Sequence, residues 1–154
     1  MNIKVKRAIF IILIIINCTI IFKFSSQNSE KSSEASGGIV NKIVTIISKN
    51  EQDENLEHIV TVIIRKCAHF SIFTLLGIWI MCEANTFNIN ERKKFGISIA
   101  LGSLYAASDE FHQMFVSGRS AQITDVFIDT LGIIFGCIIV KILYKFIDKK
   151  LKKW

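Results

Sequence analysis

Proline is absent from this sequence, and so are the short motifs that would announce a familiar enzyme. There is no His-Glu-x-x-His pair, no glycine-rich loop to cradle a phosphate and no nucleophile elbow. No Cys-x-x-Cys spacing occurs. Cys18, Cys67, Cys82 and Cys137 all fall in or beside apolar blocks and read as small packing residues, neither disulfide partners nor zinc ligands. No nucleic-acid motif and no internal repeat is present. No small-x-small cleavage site follows the first apolar block, where Lys23 and Phe24 stand, and Asn17 before Cys18 spoils a lipoprotein site. That block reads as an uncleaved helix.

What is present is apolar residue in bulk: 51% of 154 residues, with a mean hydropathy of +0.43. One domain exhausts this length. Composition at this level also suits a soluble core, so arrangement decides. The apolar residues come in blocks, at 8–22, 67–82, 95–107 and 126–140, without amphipathic period. Each block is shorter than the roughly 20 residues a membrane span needs, so each must extend into polar neighbours. The expected fold is all-α: an integral membrane four-helix bundle forming a single domain over 1–154, with spans at about 6–24, 65–83, 95–114 and 125–146.

The net charge of +6 excludes little by itself. Its placement at the ends of apolar blocks argues for membrane flanks and against a nucleic-acid partner. With both termini inside, the inner segments hold twelve basic residues against three acids (Glu83, Glu91, Asp148). The expectation is a multi-pass protein of the cell membrane with cytoplasmic termini. Residues 25–38 read as irregular outer loop. In 39–47, Ile39, Val40, Ile43, Val44, Ile46 and Ile47 share one helical face, which predicts a short amphipathic helix on the outer membrane surface or over the bundle mouth. His58 reads as a solvated residue of that loop, and 149–154 as an interfacial anchor.

Extending the short spans outward gathers Arg65, Lys66 and His69, then Asp109, Glu110, His112 and Gln113, then Arg119 and Ser120, then Asp125 and Asp129. Arg65 and His69, Asp109 and Gln113, and Asp125 and Asp129 are each one helical turn apart. A helix starting near Phe95 places Asp109 about 21 Å along it, inside a hydrocarbon core roughly 30 Å thick. Intramembrane ionisable groups usually face the protein interior. Gly132 and Gly136 lie on the same stripe as Asp125 and Asp129 and form a Gly-x-x-x-Gly pair that also offers a face to a second copy. Three readings stay open. The cluster is a salt-bridge network tying helices together, a site for acid/base chemistry or a divalent cation, or a cationic grip on the phosphate of a lipid head group or lipid-linked precursor.

The segments Arg65-Lys66-Cys67-Ala68-His69-Phe70, Tyr105 to Ser120 (which includes Asp109-Glu110-Phe111-His112-Gln113) and Asp125-Val126 resemble the VanZ-like family, as does Phe24-Ser25-Ser26-Gln27. Members typically read Val-Pro-Gly-Arg-Ser where this chain has Val116-Ser117-Gly118-Arg119-Ser120; the lost proline frees one dihedral and adds an N–H, and Gly118 can still make the turn. The resemblance implies a membrane protein linked to glycopeptide resistance, with teicoplanin affected more than vancomycin. It implies a binding site of Arg65, Lys66, His69, Asp109, Glu110, Gln113, Arg119 and Asp125, with Asp129 and His112 as second choices. Asp109, Glu110 and His69 are the candidates for catalysis. The leading expectation is an outer pocket that engages an envelope lipid or the acyl chain of a lipoglycopeptide. An envelope-modifying enzyme, metal-assisted or not, is the alternative, and a small transporter or purely structural protein comes after it.

Overall fold

The computed structural model describes residues 2–47, 54–119 and 122–151, and among these every regular element is a helix. In chain order they are α1 (Ile3–Ser25), α2 (Ser29–Ile47), α3 (Glu54–Ala84), α4 (Glu91–Gln113) and α5 (Ile123–Leu151). Ser120 and residues 152–154, half of the expected C-terminal anchor with its Trp154, lie outside the described residues. Local chemistry sets several ends. The Asn2 and Asn90 side chains accept from the backbone N–H groups of Lys4 (3.0 Å) and Arg92 (2.8 Å), capping α1 and α4. Ser26 Oγ donates to the Phe22 carbonyl at 2.7 Å, taking up one of the free acceptors where α1 stops.

Two expectations need correction. Residues 29–38 are helical rather than irregular, so α2 is 19 residues long. Glutamate and lysine favour helix, serine opposes it only weakly, and Gly37 and Gly38 cost about 1 kcal/mol each, a modest sum for packing to overcome. Once 39–47 is fixed on α3, backward extension adds one backbone bond per residue. The expected second span starts earlier too, at Glu54, giving a 31-residue helix. Nothing between Ile64 and Arg65 breaks it. At 1.5 Å per residue α3 is about 46 Å long, so its first turns project past the bundle. His58 lies on that projection and is exposed.

Three helical stretches, Ile3–Ser25, Asn55–Ala84 and Ile123–Ile147, are long and apolar enough to cross a membrane. Helix α4 has the length, 23 residues, but Glu91 to Lys94 at its start and Asp109 and Glu110 near its end make it the most polar of the bundle.

Helix α3 is the central element. It packs on α5 along a glycine seam: a Cβ on Gly77 would strike the Ile133 backbone, one on Gly132 the Phe70 carbonyl, and one on Gly136 the Thr74 carbonyl. Backbones can approach this closely only where side chains vanish. The Gly132/Gly136 face, offered by the sequence to a second copy, is therefore filled by α3 of the same chain. Phe73, Leu76, Met81, Ala106, Ile133, Cys137 and Val140 make the core between α3, α4 and α5, with Ile21 reaching in from α1. A separate cluster, Val40 and Val44 against Val60, docks α2 on the projecting part of α3. It leaves Ile39, Ile46 and Ile47 exposed, so only part of the expected apolar face is used in packing.

Candidate functional site

The polar residues singled out in the sequence gather at one end of the bundle, where α1, α4 and the start of α5 surround α3, and they divide into two groups. The first bridges α3 and α5. Lys66 Nζ pairs with Asp125 Oδ1, and one turn deeper His69 Nδ1 stands 3.6 Å from Asp129 Oδ2. An i,i+3 pair on α3 (Lys66, His69) facing an i,i+4 pair on α5 (Asp125, Asp129) produces these rungs, as helical spacing allows. Asp129 is 1% exposed, and its Oδ1 has no hydrogen-bond partner.

The second group ties α4 and the following turn to α1. Ser25 Oγ donates to Asp109 Oδ2 at 2.7 Å, and Gln113 Nε2 donates to the same oxygen at 3.0 Å. Gln113 Oε1 accepts from Arg119 Nη1 at 2.9 Å. Arg119 Nε and Nη2 donate to the carbonyls of Gln27 (3.0 Å) and Phe24 (3.1 Å). A guanidinium thus caps the C-terminal end of α1, where unbonded carbonyls and the helix dipole favour a cation. Glu110 Oε1 accepts from the Gln122 backbone N–H at 2.5 Å and pins the end of the connection to α5. Gly118, at φ 75°, turns that connection without proline, and the Arg119 N–H bonds the Val116 carbonyl at 3.1 Å.

A cavity of about 150 Å³ opens between the two groups. Its polar lining is Arg65, Lys66, His69, Gln113, Arg119, Asp125 and Asp129, with Val62, Ile128, Gly118 and Gln122 completing the wall. Six of the eight residues named as a binding site line it. Asp109 and Glu110 do not; buried at 4% and 6% exposure, they hold other side chains and backbone in place. His112 lies elsewhere, stacked on Phe22 with its Nε2 3.1 Å from Ser26 Oγ. The contribution of Ser25 and of the Phe24 and Gln27 carbonyls was missed. The Phe24-Ser25-Ser26-Gln27 motif signalled that segment, but a partner 84 positions away cannot be read from spacing.

The lining's charges are unequal. Asp125 and Asp129 each have a partner on α3, whereas Arg65 makes no hydrogen bond or ion pair among the described residues. Arg119 bonds only carbonyl and amide oxygens. Burial, and then the nearby Arg65 charge, pull the Arg119 guanidinium below its ordinary value, with Asp109 and Glu110 opposing. Two guanidiniums that repel each other and have no carboxylate partner among the described residues border one small cavity. For a divalent cation the donor set is poor: among the described residues no three His, Cys, Asp or Glu side chains gather as a metal site would need.

Long apolar helices packed round a single buried polar cluster define a small helical membrane protein with a charged cavity at one end. The chain belongs to the VanZ/LLP1 family, whose model matches residues 10–144. No curated protein and no solved structure matches it.

Proposed function

We propose that this protein crosses the cell membrane four times, with both termini cytoplasmic, and that its cavity faces outward to bind the anionic head group of an envelope lipid. A lipid-linked precursor or a lipoglycopeptide is the intended class of ligand, and the expected phenotype is glycopeptide resistance weighted to teicoplanin. The observation that carries this reading is the pair Arg65 and Arg119, two forked donors on one cavity with no carboxylate partner among the described residues. Guanidinium forks match phosphate and carboxylate oxygens bidentately. The exposed apolar flanks of the bundle, such as Leu101, Leu104, Leu131 and Phe135, leave an acyl chain in bilayer while its head group enters. Lys94, Lys141, Lys145 and Lys149 border a second, more open recess, which suits a cytoplasmic surface.

The test is expression of wild type and Arg65→Ala at matched membrane levels in a susceptible Gram-positive host. Arg65 has no hydrogen-bond or ion-pair partner among the described residues, so its removal should spare folding. The expected result is a rise in the inhibitory concentration of teicoplanin, smaller for vancomycin, that Arg65→Ala abolishes. An equal rise with both proteins would remove the cavity from the explanation.

A further inference from the structure

The two arginines account for one wall of the cavity and leave the His69–Asp129 pair unexplained. Asp129 is 1% exposed and lines the cavity, yet among the described residues one carboxylate oxygen has no partner and the other faces His69 Nδ1 at 3.6 Å. Leaving such a group unsatisfied in the interior is expensive, and packing alone gives no reason for it. Its neighbour is equally specific. Stacked beside Phe73, His69 turns Nδ1 toward the acid, and its Nε2 makes no hydrogen bond among the described residues. A carboxylate facing Nδ1 at this distance favours the tautomer with the proton there, which leaves a lone pair on Nε2. Arg65 is one turn from His69 on the same helix and borders the same cavity.

We propose that the cavity transfers a phosphoryl group, with His69 as nucleophile, Asp129 as its positioning residue, and Arg65 and Arg119 holding a lipid-linked diphosphate. This rests on the anionic-lipid reading above and deepens it. In the first step the Nε2 lone pair attacks the terminal phosphorus, a P–N bond forms, and the bond to the bridging oxygen breaks. The lipid monophosphate leaves with that electron pair. The imidazole becomes a phospho-imidazolium whose positive charge faces Asp129. In the second step a water oxygen attacks the same phosphorus and the P–N bond returns its electrons to Nε2. Dihydrogen phosphate is released and neutral His69 is restored. The choice of a diphosphate follows from the lining. Lys66 is engaged by Asp125, so no free acid is at hand to protonate a poor alkoxide leaving group, whereas a phosphate monoester departs as a stable anion.

The experiment uses the full-length protein in detergent micelles with farnesyl diphosphate labelled with ³²P at the terminal phosphorus. Equilibrium binding and release of labelled phosphate are measured for wild type, His69→Gln, Asp129→Asn and Arg65→Ala. Expected are phosphate release by the wild type and a labelled protein adduct stable to alkali but not to acid, both lost in His69→Gln while binding holds. Asp129→Asn should lower kcat about 100-fold or more with KM unchanged, which a merely structural role would not produce. Arg65→Ala should lose binding. Wild-type binding without release or adduct, or release persisting in His69→Gln, overturns phosphoryl transfer and leaves the lipid-binding reading standing. Absence of wild-type binding overturns both.

Discussion

Arg119 illustrates how one residue can serve two masters. Three of its nitrogens hold Phe24, Gln27 and Gln113, while its charge borders the cavity. Truncation removes three charge-assisted bonds and frees the end of α1, so Arg119→Ala should destabilise the protein by about 1–3 kcal/mol, seen as a lower unfolding temperature in detergent. Lysine offers one point charge in place of a fork and should not restore it. Glu110→Gln, by contrast, retains an oxygen for the Gln122 N–H and should cost no more than about 1 kcal/mol. If the two variants lose equal stability, the capping role assigned to Arg119 is mistaken. The family resemblance groups Asp109 and Glu110 with the binding residues. In the fold they stand behind the cavity wall, Asp109 one turn below Gln113 and bonded to it, Glu110 turned to the Gln122 N–H.

At the scale of elements, the α3–α5 seam decides how deep the cavity can be. A Cβ at Gly136 would meet the backbone of Thr74 and Ile78, neither of which is a flexible side-chain end. Gly136→Val should force the helices apart at a cost of roughly 1–3 kcal/mol or more and carry Asp129 away from His69. Gly96, on α4, has nothing within 4 Å of the same added atom. Gly96→Ala should be neutral or stabilise by up to about 1 kcal/mol through helix propensity. Unfolding temperatures of the two variants, measured side by side, check the pair; equal tolerance would mean that the seam is loose. The projecting hairpin of α2 and α3 is a second such element. Val40, Val44 and Val60, with Ile43, Leu56 and Ile64 packed against them, hold it among the described residues, and Val62 at its base enters the cavity wall.

For the molecule as a whole, the proposed orientation makes the sharpest prediction. With Cys67 replaced by serine, Ser117→Cys in the turn after α4 should react with a membrane-impermeant maleimide on intact cells. Asn88→Cys, in the connection before α4, should react only after permeabilisation. Both positions are exposed in the fold, so access is set by the bilayer. The reverse pattern would place the cavity in the cytoplasm and end any direct link to extracellular antibiotics. Labelling of both from one side would show that α4 does not cross. That helix is where the question bites, because its charged ends leave it outside the set of clearly apolar spans.

Sequence alone settled that this chain is helical and made for a membrane. Apolar blocks, flanking lysines and the ordered motifs around His69, Asp109 and Asp125 are local patterns, and local patterns are what helical period and hydropathy report. The length of α3 and the helical start of α2 escaped it, since the serines and Gly37-Gly38 of 29–38 disfavour helix locally and the packing that favours it, Val40 and Val44 against Val60, is tertiary. Tertiary structure alone could divide the polar cluster. It joined Ser25 to Asp109 across 84 positions and turned Asp109 and Glu110 toward scaffolding. It matched Lys66 with Asp125 and His69 with Asp129, and left two arginines on the cavity. Which charge faces which depends on how helices rotate against one another, and that rotation is set by the glycine seam, where Gly77, Gly132 and Gly136 allow a single close approach.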